Sequence, residues 1–253
     1  MGCERRDACY CSRVTKIVIA TRNAHKVGEI RAILGKRFQY LTLEDFPDAP
    51  KVVEDAETFA GNATKKAVTL ARWLAGNSKL LEGGAAACIL ADDSGLEVDA
   101  LGGAPGVHSA RFAAMDKTEN AKDADNNAKL LRLLHDVPLE KRTARFRCVI
   151  ALAPVAEEPI ESASPVCYAE EDVPTFDGAC EGHVQFSGKG AKGFGYDPLF
   201  VPEGFMESFA ELGEDVKNKL SHRAKALEKV KRYFHDQGCE SGGGPPRSKT
   251  LTR

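Results

Sequence analysis

Two adjacent carboxylates, Asp92 and Asp93, stand directly after the apolar run Cys88-Ile89-Leu90-Ala91 and lead into Ser94-Gly95-Leu96. Paired acids at the C-terminal edge of a strand, followed by a glycine turn, are expensive unless a positive charge arrives. Mg²⁺ suits such a place, because it takes hard oxygen ligands, usually one or two carboxylates plus substrate phosphates. Glu54 can supply a further oxygen from another loop. The plain alternative is an Asx-type turn with solvated acids.

Three other segments carry complementary chemistry. Thr21-Arg22-Asn23-Ala24-His25-Lys26 joins an apolar β-branched run to a helical pattern. Backbone N–H groups at a helix start are unpaired and the helix dipole favours an anion there, so a phosphate fits; equally, Asn23 can simply cap the helix. Gly188-Lys189-Gly190-Ala191-Lys192-Gly193 is a literal G-x-G-x-x-G, but Pro198 follows within five residues of Gly193. A dinucleotide fingerprint must open a helix, so that use is excluded. What remains is a glycine loop in which Phe194 or Tyr196 offers a ring for a base to stack on and Asp197 can bond a base edge. Core aromatics under a tight turn are the alternative.

Lys217, Ser221, His222 and Arg223 add basic groups near the end of the chain. At about 100° per residue an unbroken helix would scatter Lys217, His222 and Arg223. They share one pocket only if regular helix begins near Ser221, with Ser221 as N-cap and Lys217 in a preceding bend. Otherwise they form a solvated basic face.

The elements that must position these groups alternate. Lys16 to Ala20 predicts a strand, and Val27, Ile30, Ile33 and Leu34 a helix ended by Gly35. Phe59, Ala63, Ala67, Leu70 and Leu74 predict a second helix, and Cys88 to Ala91 a buried strand. A helix running from Asp116 closes on Leu130, Leu131, Leu133 and Leu134. Ala144, Phe146, Cys148, Ile150 and Leu152 share one strand parity, with Arg145 and Arg147 opposite. Pro154 to Pro174 predicts an exposed loop or hairpin, His183 to Phe186 a strand, and Leu220, Ala224, Leu227, Val230 and Phe234 the final helix. The order predicts an α/β domain over 14–236, between loop-like tails at 1–13 and 237–253.

The 253 residues carry 35 Lys+Arg against 37 Asp+Glu, a net charge of -2. That balance argues against a protein that holds nucleic acid by bulk charge. No apolar run approaches the roughly 20 residues of a membrane span. None of the eight cysteines forms C-x-x-C, and the polar first eleven residues lack an apolar stretch of the secretory kind, so reducing cytosol is the expected compartment.

Taken together, the segments resemble the Ham1/RdgB family of inosine triphosphate pyrophosphatases. The likeness runs from about Lys16 to Phe234 and is most specific in Ala91 to Gly106, Gly193 to Phe200 and Leu220 to Arg223. It implies an elongated mixed β-sheet flanked by helices, with two lobes and a central cleft. It implies a homodimeric, Mg²⁺-dependent enzyme that converts ITP, dITP or XTP to the monophosphate and pyrophosphate. By the matching motifs, Thr21, Arg22, Asn23, Ala24, His25 and Lys26 would hold phosphates, and Glu54 with Asp93 the metal. Asp93 would also be the general base and Ser94 would touch substrate. Phe194, Gly195, Tyr196, Asp197, Lys217, His222 and Arg223 would surround base and sugar.

That chemistry suits the residues. Hydrolysis at the α-phosphorus needs charge neutralisation and a carboxylate to take a proton. Hypoxanthine and xanthine carry an acceptor at C6 where adenine carries an amino group. Donors aimed at that position would be left unpaired by adenine, at about 1–3 kcal/mol per buried group. Three positions depart from the family pattern: Arg22 for Gly or Asn, Gly61 for Glu, and His108 for Tyr. A Maf-like pyrophosphatase of modified or pyrimidine nucleotides and a non-hydrolytic nucleotide- or RNA-binding module are the competing functions.

Overall fold

The computed structural model describes residues 14–82, 85–114, 120–156 and 173–239. The expected tail at 1–13, most of that at 237–253 and most of the 154–174 loop fall outside these residues.

One six-stranded sheet runs in the order β2-β1-β3-β4-β5-β6. Strand β1 (Val14–Ile19) leads through the Thr21 turn into helix α1 (Ala24–Leu34) and returns as β2 (Gln39–Thr42), parallel to it. Asn23 caps α1, its Oδ1 accepting from the N–H groups of His25 and Lys26, and Gly35 ends it at φ 77°. Such a cap contributes about 1 kcal/mol. Helix α2 (Phe59–Leu74) is capped by Thr58 and buries the predicted Phe59, Ala63, Ala67, Leu70 and Leu74.

Strand β3 (Ala86–Val98) pairs parallel with β1 and antiparallel with β4 (Thr143–Pro154). The short helix α3 (Asp123–Leu133) lies between them in sequence. It begins seven residues later than Asp116, the expected start, which itself falls outside the described residues. Strand β5 (Thr175–Val184) pairs with β4, and β6 (Phe200–Pro202) closes the edge. Three helices follow: α4 (Phe209–Leu212), α5 (Glu214–Leu220) and α6 (His222–Cys239).

The strand expected at 183–186 is the end of β5, which begins at Thr175 and stops at Val184. Gly178 and Gly182 hide its first part. A Cβ at Gly178 would overlap the His222 carbonyl, and one at Gly182 the Val201 carbonyl, so close packing there demands glycine.

Three apolar clusters organise the layers. One packs α2 on the sheet face of Ile89, Ala91 and Val149. A second packs α1 and α6 on the opposite face, against Ile17, Leu90, Cys148 and Ile150. The third gathers Leu96, Val98, Phe146, Tyr196, Phe200 and Phe209 with α3 at the far end of β3 and β4. The observed architecture is the expected α/β one, a mixed sheet flanked by helices.

Candidate active site

Asp92 and Asp93 lie inside a strand, not in a loop after one. Asp92 pairs in register with Ile150 and Asp93 with Val149, and β3 continues to Val98. The reason is electrostatic: Lys26 and Arg223 pair with Asp92, and Lys66 stands beside Asp93, so the chain has no need to turn the acids out to water. Gly95 then serves close packing, since a Cβ there would overlap the Gly106 carbonyl and Ser109 Oγ.

Strand alternation sends the neighbouring acids to opposite faces. Asp92 points toward α1 and α6. It accepts from Lys26 Nζ at 2.5 Å, from Arg223 Nε at 2.8 Å, from Ser94 Oγ at 3.1 Å and from the Cys148 thiol at 3.1 Å. Burial alone would raise this carboxyl, but Arg223 and Lys26 hold it well below the usual carboxylate range. Arg223 also pairs with Glu29 and donates to Ser94 Oγ at 2.9 Å. Glu29 lies 2.9 Å from Lys217 Nζ, which lies 2.6 Å from Asp197. Lys26, Asp92, Arg223, Glu29, Lys217 and Asp197 thus form a row of alternating charge.

Asp93 points toward α2. Its Oδ2 accepts from Asn62 Nδ2 at 3.1 Å, and its Oδ1 lies 3.5 Å from Lys66 Nζ. The same ammonium lies 3.4 Å from Glu54 Oε1 and donates to the Asp92 carbonyl at 2.7 Å. The Glu54 loop is anchored by Arg111, which donates to the Glu54 carbonyl, and by Asn62, whose Oδ1 accepts from Ala56 N–H. Burial raises the Asp93 carboxyl, and Glu54 adds to this, while Lys66 and Lys26 oppose it without cancelling it. Glu54 and Asp93 therefore converge on one ammonium, and burial leaves the Asp93 carboxyl raised beside it.

At the other end a cavity of about 190 Å³ opens between α1, α5 and the Gly193 loop, lined by His25, Gly28, Glu29, Phe194, Lys217 and Asn218 among others. The Phe194 ring stacks on His25 at 5.2 Å, with Lys217 Nζ 4.2 Å from its centroid. Ala24 lines this cavity as well. Of the other first-loop residues, Thr21 Oγ1 accepts from Asn23 N–H, Asn23 is engaged as the cap, and Arg22 is exposed.

Several expected substrate contacts are turned inward. Tyr196 is buried in the third cluster with its hydroxyl donating to the Ser109 carbonyl, so its ring is not open for stacking. Asp197 is buried against Lys217 and accepts from the Phe194 N–H; burial raises its carboxyl despite Lys217. His222 is buried flat on Phe146 at 4.8 Å with Nδ1 unpartnered, and burial, then Arg223 and Lys217, keep its ring neutral.

The basic run is arranged much as geometry required. Ser221, extended at φ -67° and ψ 163°, interrupts the helix, and its Oγ accepts from Ala224 N–H at the start of α6. Lys217 lies in the short helix α5 rather than in a bend.

Glu29, Asn62 and Lys66 lie outside the motifs that the sequence offers. Glu29 stands three residues after Lys26 on α1, and Lys66 falls beside the apolar stripe of α2, where a lysine must find a buried partner.

A sequence profile of the Ham1 family matches residues 17–233. The dITP/XTP pyrophosphatase of Geobacter sulfurreducens is 46% identical over 228 residues, covering 90% of this chain and 100% of that protein. That of Desulforamulus reducens is 44% identical, covering 88% and 99%. Among solved structures, the Ham1 protein of Staphylococcus aureus aligns with a TM-score of 0.68 at 29% identity, covering 88% of this chain and all of that one. A HAM1 protein of Coxiella burnetii gives 0.67 at 33%, with the same coverage. The chain belongs to the Ham1 family.

Proposed function

We propose that this chain hydrolyses non-standard purine nucleoside triphosphates, ITP, dITP and XTP, to the monophosphate and pyrophosphate. The observation that carries the proposal is the Glu54–Lys66–Asp93 cluster, on the opposite face of β3 from the Lys26–Asp92 pair, with an aromatic and basic cavity beyond it. The names of the relatives point to dITP and XTP among these.

Asp93, raised by burial, takes a proton from the water that attacks the α-phosphorus. Lys26, partly exposed beside Asp92, would meet the anionic end of the substrate, since the His25 and Lys26 N–H groups are taken up by the Asn23 cap. Phe194, His25 and Lys217 frame the base. Among the described residues no cluster of three or more His, Cys, Asp or Glu converges. Mg²⁺ held with substrate phosphates needs only one or two carboxylates, which Glu54 and Asp93 supply. When bound there, the ion neutralises triphosphate charge. The same proposal takes the enzyme to be a cytoplasmic homodimer; among the described residues no helix is long and apolar enough to cross a membrane.

Pyrophosphate release across ITP, dITP, XTP, ATP, GTP and UTP, with and without Mg²⁺, tests the proposal. Release from the first three with Mg²⁺, near silence with ATP, and loss of turnover in a folded Asp93→Asn variant are expected. Pyrimidine preference would favour the Maf-like activity, and binding without release would leave only a binding module.

A further inference from the structure

Two glycines in the left-handed region flank the ring at the base end of the cavity: Gly193 at φ 78° and Gly195 at φ 62°. Such residues leave the ring between them free unless something outside the loop fixes the backbone. Asp197 holds the Phe194 N–H from within the loop, and the groups that fix Gly195 come from α3. The Gly195 N–H donates to Asp123 Oδ2 at 2.6 Å, and the Gly195 carbonyl accepts from Asn127 Nδ2 at 3.0 Å. Asp123 and Asn127 are four residues apart on the helix, so they present on one face and grip both polar groups of a single peptide residue. One of the two bonds is charge-assisted.

The helix is itself tied back. Asn126 Oδ1 accepts from the Ala113 N–H at 2.7 Å and its Nδ2 donates to the Ala110 carbonyl at 3.2 Å. Lys129 Nζ donates to the Phe112 carbonyl. From the adjoining Gly106–Arg111 turn Arg111 reaches the Glu54 carbonyl, and the Ser109 carbonyl accepts from Tyr196. The turn and α3 therefore brace the aromatic loop against the segment that carries Glu54.

We infer that Asp123 and Asn127 are positioning residues: by clamping Gly195 they hold the Phe194 ring in the cavity and set base selectivity from outside it. The inference rests on the nucleotide reading above and adds to it the residues that decide how well the base is read.

The test compares Asp123→Ala, Asn127→Ala and the conservative Asp123→Asn, whose amide oxygen still accepts, with the wild-type chain. Loss of either bond is expected to raise KM for ITP about tenfold with kcat within about twofold, and to lower the ITP-to-ATP ratio of kcat/KM by about tenfold. Asp123→Asn is expected to restore most of the loss. In the unliganded protein, amide exchange at residues 193–195 should quicken in Asp123→Ala. Loss of kcat at unchanged KM, equal losses on ITP and ATP, or unaltered exchange would each overturn the inference. A wild-type chain inert toward every nucleotide would instead overturn the nucleotide reading, a failure that the wild-type control identifies by itself.

Discussion

Asp92→Asn removes one negative charge from the middle of the buried row and keeps the side-chain volume. Arg223 retains Glu29, but Lys26 has no second carboxylate within ion-pair distance among the described residues. Asp92 and Arg223 are each about 1% exposed at the side chain and Lys26 16%, so little water is at hand to replace the lost partner. Removing one member of a buried ion pair costs about 3–5 kcal/mol, because the remaining charge stays desolvated. For a chain of this size, 1 kcal/mol corresponds to about 2–4 °C in Tm, so a fall of roughly 6–20 °C is expected. Thermal unfolding of the wild-type chain, Asp92→Asn, Arg223→Met and the double variant measures it. The double variant should lose less than the sum of the singles, by about 0.5–3 kcal/mol, since the two groups touch. A Tm for Asp92→Asn within about 2 °C of wild type, or strictly additive losses, would refute the argument that the row is an interdependent buried network.

Two pH effects follow from the neighbouring groups. His222 is kept neutral in the folded chain, well below the usual imidazole range, whereas the unfolded chain takes up a proton below about pH 6.5. The unfolded state then binds more protons, so stability falls as pH drops from 6.5 toward 5, by at most about 1.4 kcal/mol per unit. Tm measured over that window should decline less steeply in His222→Gln; equal slopes would contradict this. Lys66 lowers the Asp93 carboxyl against its burial, so Lys66→Met should move the acid limb of the kcat/KM profile to higher pH. A limb that stays in place would show that Asp93 is not the group that must be ionised.

Local periodicity made much of the framework legible. The stripe Phe59 to Leu74 is helix α2, the parity from Ala144 to Leu152 is β4, and Gly35 ends α1 where expected. What local reading missed depends on partners far along the chain. Asp92-Asp93 suggests a turn because the cations that permit a strand lie 66 residues before Asp92, at Lys26, and 131 after it, at Arg223. Glycines within β5 suggest a break until α6 and β6 press against them. Within the candidate site, the residue types were visible but their facing was not. Adjacent acids had to part to opposite faces once β3 was a strand, and Tyr196 and Asp197 turned inward because the third cluster and Lys217 claim them.

Strand β3 has 13 residues and β4 has 12, paired in register along nearly their whole length. At about 3.3 Å per residue each spans roughly 40 Å without a joint. A hinge between the two ends of the molecule would have to bend both rods at once and shear their shared ladder. The framework is accordingly stiff, and adaptation to an arriving nucleotide falls to side chains, first to the His25 and Phe194 rings that already stack at the cavity.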